Sequence, residues 1–130
     1  MSWTSLLANP SGIERIYEGR VPDLTGVHFH SVELNREGPS LLLRFDMPSY
    51  PENPPHKWQK QGFNVVQMTL GLSGVEEPTL HGFAIDPVAD ISLRSQERIT
   101  LDVHSASLRL HATAATVYVA NISAYRACPE

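Results

Sequence analysis

From about Leu24 onward the apolar residues of this chain fall at every second position, in short runs separated by turn-forming clusters. Alternation of this kind puts one set of side chains on each face of an extended strand, which makes a half-buried antiparallel sheet the main body of the fold. Val27, Phe29, Val32 and Leu34 interleave with His28, His30, Ser31 and Glu33, and the phase slips once among them, as at a β-bulge. Beyond the turn Arg36-Glu37-Gly38-Pro39, the residues Leu41, Leu43 and Phe45 alternate with Leu42, Arg44 and Asp46, so the two runs form a hairpin. A strand over 63–72 puts Val66, Met68, Leu70 and Leu72 on one face. Further runs span 80–85, 88–93, 99–104, 108–112 and 117–125, with turns near Gly74, Asp86-Pro87, Gln96-Glu97 and Ser105-Ala106-Ser107. This pattern predicts a β-sandwich-like or open-barrel antiparallel sheet of about seven or eight strands. The most apolar faces belong to 41–46 and 63–72, which are expected at its centre.

Residues 1–20 read as a helical segment. Asn9 stands as an N-cap before Pro10, Ile13, Ile16 and Tyr17 share one face, and Gly19 supplies the stop, giving a helix over 10–18. The expected class is therefore α+β, with this short segment packed on the sheet of residues 24–126. Prolines 48, 51, 54 and 55 cannot donate to a ladder, so 46–62 is expected to be a long Pro-rich loop. With 130 residues and no internal repeat or break in composition, the chain 1–130 reads as one domain.

Ten Lys and Arg against 14 Asp and Glu leave a net charge of −4, which lacks the basic footprint of a nucleic-acid-binding domain. No apolar run reaches the roughly 20 residues of a membrane helix, and the first residues lack the basic and apolar regions of a signal peptide. A soluble cytoplasmic protein is expected. The single cysteine, Cys128, has no disulfide or zinc partner and lies too near the end of the chain to suggest a nucleophile. No serine sits in a glycine-flanked elbow and no glycine loop cradles phosphate, so neither an enzyme nor a cofactor is expected. His28-x-His30 places two imidazoles on one strand face, as at the start of a cupin metal motif. Gly26, Glu33 and Glu37 fall at other offsets than that motif requires, and the histidines read as ordinary strand residues with no metal. Asp86-x-x-x-Asp90 offers too few ligands for calcium, and Pro87 marks a turn there.

Between Gln61 and Leu93 there is no lysine or arginine, whereas Glu76, Glu77, Asp86 and Asp90 all lie in that stretch. Such a stretch is either a solvated acidic rim or a surface that steers a cationic partner. On the Pro-rich loop, Tyr50 and Trp58 are residue types that anchor interfaces at small entropic cost, unless Trp58 folds back as a plug over the core.

The segments SWTSLLANPSGIERIYEG, LLLRFDMPSYPENPPHKW, GFNVVQMTLGL and ISAYR follow one another in an order that resembles the immunity protein 50 family of bacterial polymorphic toxin systems. The markers are Trp3, Asn9-Pro10, Arg44-Phe45-Asp46, Pro54-Pro55 to Trp58 and Gly62-Phe63-Asn64, none of them a catalytic signature. The resemblance implies a small intracellular protein that binds a cognate toxin and blocks it without catalysis. A basic, nuclease-type toxin is the partner that an acidic inhibitor suits, since the inhibitor can cover the surface that grips phosphate. The expected contact surface joins Tyr50, Glu52 and Trp58 to Glu76, Glu77, Asp86 and Asp90, and the face of His28, His30 and Glu33 is next in line. The alternative is a ligand- or metal-binding, cupin-like sandwich in which His28 and His30 converge with a third ligand.

Overall fold

The period-two runs become eight strands in the computed structural model, which describes residues 3–82 and 87–127. They are β1 (Val27–Asn35), β2 (Ser40–Asp46), β3 (Val65–Ser73), β4 (Glu76–His81), β5 (Val88–Ser95), β6 (Ile99–His104), β7 (Arg109–Ala114) and β8 (Thr116–Tyr125). A 3-10 turn at Trp3–Leu6 and two short helices, α1 (Ser11–Ile16) and α2 (His56–Gln61), complete the α+β architecture. The strands form one antiparallel sheet in the order β4-β7-β6-β5-β1-β2-β3-β8. As the alternation predicts, β2 and β3 are flanked on both sides, and Leu43, Phe45, Met68, Leu70 and Leu72 are fully buried on their inner faces.

The sheet curls, and chain connectivity forces it to. β3 lies beside one edge strand and β4 is the other edge, yet only Gly74 and Val75 separate them. Three Cα steps reach at most about 11 Å, so the two ends of the sheet must come together. Ala115 alone joins β7 to β8, and its N–H donates to the Ser73 carbonyl at 2.9 Å. The β3/β8 pair, closing at Ser73 opposite Thr116, therefore continues into the β4/β7 pair, opening at Glu76 opposite Thr113. This single bent ribbon turns the corner between two four-stranded halves, as strands do where they pass from one sheet layer to another. On the other side the halves meet through Val27 opposite Ala89 and His28 opposite Val88, and the Phe29 N–H donates to the Pro87 carbonyl at 3.0 Å. Inner residues of both halves, including Leu43, Leu70, Leu101, Val103 and Leu110, share one core cluster.

The amino-terminal part departs from the expected helix. Pro10 occupies the N-cap position of α1 in helical conformation, no side chain among the described residues caps the helix, and α1 ends at Ile16 rather than residue 18. Asn9 is engaged elsewhere: its Nδ2 donates to the Val119 carbonyl at 2.9 Å and its Oδ1 accepts the Val119 N–H at 2.8 Å. The amide thus replaces a strand partner at the point where β8 bulges against Thr69 and Leu70. Two hydrogen bonds to a sheet edge outweigh one to a short helix. Asn64 repeats the device on Ala127, donating at 3.1 Å and accepting at 2.8 Å. Ile13, Tyr17 and Leu7 close this end of the core.

Two further expectations are corrected. The segment 46–62 is not all loop, because the proline-free run HKWQKQ forms α2 behind Pro55, with Gly62 left-handed at its C-cap. The strand expected over 80–85 is β4 at Glu76–His81, and its six residues are exposed. Residues Phe83 to Asp86 lie outside the described residues.

Candidate functional site

Where β2 leaves the sheet, Met47 stays buried and residues 49–53 come to lie beside residues 16–20, at the end of α1. The Tyr17 hydroxyl donates to the Ser49 carbonyl at 2.7 Å, tying helix to loop. Tyr50 then lies against Trp58 of α2, with ring centroids 6.4 Å apart and planes tilted by 40°. A cleft of about 440 Å³ opens between these elements, lined by Ile16, Glu18, Arg20, Tyr50, Glu52 and Asn53 among others. Glu18 is held in the left-handed region at φ 53°, a conformation that costs a non-glycine residue energy and recurs at binding sites. Among the described residues the buried Tyr50 hydroxyl has no hydrogen-bond partner. Burial pushes the Tyr50 phenol up, and burial together with the nearby Tyr50 pushes Tyr17 well above the ordinary tyrosine range. Trp58 is half-buried and packs against the core, so it plugs the end of the sheet while its other side meets solvent.

Of the expected contact residues, Tyr50, Glu52 and Trp58 are therefore brought together. Glu76 and Glu77 are not near them: they lie beyond the far end of β3, whose nine residues span on the order of 26 Å. Glu76 approaches Arg98 with Oε1 3.8 Å from Nη1, and a second nitrogen of Arg98 donates to the Gly74 carbonyl. Glu77 sits at φ 52° in the bulge of β4 between Glu76 and Thr79. Asp90 lies on β5 and accepts the Gly26 N–H at 2.9 Å. Asp86 lies outside the described residues.

A carboxylate hub on the outer face of β1, β2, β3 and β8 escaped the sequence reading. Asp46 Oδ2 accepts the Tyr125 hydroxyl at 2.5 Å, its Oδ1 accepts from Gln67 Nε2 at 3.4 Å, and His30 Nε2 lies 2.9 Å from the same Oδ1. The bulge between Phe29 and Ser31 makes His30 the extra residue of β1 and aims it at Asp46. Asp46 is only 13% exposed, so its lone pairs are committed to these donors. His30 is consumed by this hub. Among the described residues no group of three His, Cys, Asp or Glu is placed to hold a metal ion.

Burial first, and the Asp46 carboxylate second, push the Tyr125 phenol up to about 12 from its ordinary 10.0. The folded state therefore holds this proton more tightly than the unfolded chain. Its stabilisation is complete below pH 10 and is lost as the pH rises from there toward 12. Ring-resolved tyrosine NMR should show Tyr125 titrating late. Asp46→Asn should lower the midpoint yet leave it above 10.0, because burial contributes most. A midpoint unchanged by Asp46→Asn would dissociate the phenol from the hub.

Several residues that carry the family resemblance thus hold the fold together. Asn9 and Asn64 bridge to β8 and the chain beyond it, Trp3 Nε1 donates to the Pro22 carbonyl at 3.0 Å, and Asp46 gathers three elements. Among the described residues no helix is long and apolar enough to cross a membrane. No curated protein and no solved structure matches the chain. The family profile for immunity protein 50 matches residues 9–125, from the asparagine that docks on β8 to the tyrosine that closes the Asp46 hub. The chain belongs to the immunity protein 50 family.

Proposed function

We propose that the protein is an immunity protein that binds a cognate toxin of a bacterial polymorphic toxin system in the cytoplasm and blocks it by direct, non-catalytic contact. The observation that carries this reading is membership of the immunity protein 50 family over nearly the whole chain. The contact surface is centred on the cleft between α1 and residues 49–53, where Tyr50 and Trp58 form a tilted aromatic pair beside the exposed carboxylate of Glu52. Aromatic residues held in place before binding lose little entropy and supply most of an interface's energy. Glu76, Glu77, Asp86 and Asp90 act at longer range, steering a basic, nuclease-type toxin toward a protein of net charge −4.

The test is binding and neutralisation of the toxin encoded beside this gene. Trp58→Ala should speed dissociation roughly 10- to 100-fold, as loss of an interface anchor does, with little change in association. Glu76→Lys with Glu77→Lys should slow association and flatten its salt dependence. Unaltered kinetics in a folded Trp58→Ala variant would move the surface away from the cleft. Absence of any complex with the toxin would remove the functional reading.

A further inference from the structure

On the outer face of the other half of the sheet, the register assembles groups that the sequence scatters. His81 of β4 lies opposite Arg109 of β7, and Arg109 lies opposite His104 of β6. His111 is two residues along β7 from Arg109, on the same face, and Thr79 is opposite it. Together with Asp102 these side chains ring a groove of about 460 Å³. All of the histidines and Arg109 are exposed, so core packing did not place them there.

Asp102 is the carboxylate of this groove, and both its oxygens are engaged. Oδ1 is 2.6 Å from His111 Nδ1, and Oδ2 accepts from Arg94 Nη2 at 2.9 Å. The His111 hydrogen bond above all, with Arg94 assisting against the cost of burial, holds the Asp102 carboxyl below its usual range. Asp90 stands opposite His104 but lends its Oδ1 to the Gly26 N–H. Glu76 faces the far corner, beside Arg98. Among the described residues Arg109 has no ion pair, and each protonated histidine beside it adds repulsion across the strands. An anion in the groove turns that repulsion into attraction.

We propose that this groove binds a small tetrahedral oxyanion: inorganic phosphate or the phosphate group of a monoester. Apart from Asp102 and the His111 Nδ1 that it holds, its groups are donors or become donors on protonation: the Arg109 guanidinium, the imidazoles of His81 and His104, the Nε2 side of His111 and the Thr79 hydroxyl. Phosphate is an acceptor of high charge whose oxygens match the guanidinium fork. The size of the groove suits the anion with a small organic part. Overall charge excludes longer polyanions as the natural guest. A nucleic acid is repelled by a chain of net charge −4, whereas a small ion within a Debye length of about 8 Å responds to the groove itself.

The test is a titration of the whole protein with sodium phosphate at constant ionic strength, followed by the NMR signals of the six histidines. Saturable shifts confined to His81, His104 and His111 are expected, with His28, His30 and His56 as controls. Arg109→Gln should weaken binding about tenfold or more, and Arg109→Lys should fall between, since it keeps the charge and loses the fork. Glycerol phosphate in a parallel titration separates the sources: tighter binding than inorganic phosphate assigns the site to an ester, weaker binding to the free ion. Equal shifts at all six histidines, indifference to Arg109→Gln, or tighter binding of a glutamate-rich peptide than of phosphate would each overturn the proposal. The groove shares no residue with the cleft of Tyr50 and Glu52, and phosphate binding is read without the toxin, so its failure leaves the toxin reading intact and the reverse also holds.

Discussion

Phe45→Ala should lower the free energy of unfolding by roughly 3–5 kcal/mol, as deletion of a fully buried aromatic ring does. Phe45 is fully buried in β2, faces Phe29 on one neighbouring strand and Met68 on the other, and meets the Phe29 ring at a centroid distance of 5.7 Å. Removing the ring leaves a cavity that close-packed neighbours fill only in part, and it also forfeits the ring pair. Leu34→Ala is the control on the same hairpin, because Leu34 is 59% exposed despite its inward register, and it should change stability by about 0.5 kcal/mol or less. Urea unfolding of both variants measures the difference. A cost below about 1 kcal/mol for Phe45→Ala would mean that the β2 inner face is not core.

Gly74→Val should cost about 2–5 kcal/mol, the sum of a left-handed backbone penalty and overpacking. Gly74 has φ +65°, and a Cβ built there would lie 2.9 Å from the Ala115 Cβ, at the corner where the ribbon passes from one half of the sheet to the other. Gly62 has nearly the same φ, +68°, but open space around it, so Gly62→Ala should cost only about 1 kcal/mol. The excess at Gly74 is steric and belongs to the corner. A double-mutant cycle of Gly74→Ala with Ala115→Gly should therefore show coupling of about 1 kcal/mol or more. Additive effects would mean that the two chains do not touch there.

The parts of the candidate sites legible in the sequence are those set by neighbours along the chain. Tyr50, Glu52 and Trp58 fall within one proline-stiffened segment, and α2 turns Trp58 back onto Tyr50 over a short distance. The acidic stretch between Gln61 and Leu93, without lysine or arginine, is equally visible, yet a sheet surrounds each residue with others from remote strands. Glu76 meets Arg98, and Asp90 sits diagonally across β5, β6, β7 and β4 from it. The Asp46 hub was not legible at all. Its contact with Tyr125 spans 79 positions, and His30 comes to it from the neighbouring strand, at the bulge of β1.

Alternation, proline and turn chemistry act over a few residues, so the existence of the strands, their inward faces and the break after Asp46 follow from local pattern. Strand order is different. That β4 lies at the opposite edge from β8, although only Gly74 and Val75 follow β3, depends on how the whole sheet curls to bury both apolar faces in one core. The same long-range closure decided the fate of Asn9. A residue with helix-capping chemistry found a bulged strand edge within reach and satisfied two of its backbone groups instead. Capping preference is a property of neighbours in the chain, whereas an unpaired N–H and C=O on β8 exist only once the sheet has formed, and the larger gain from pairing both prevailed.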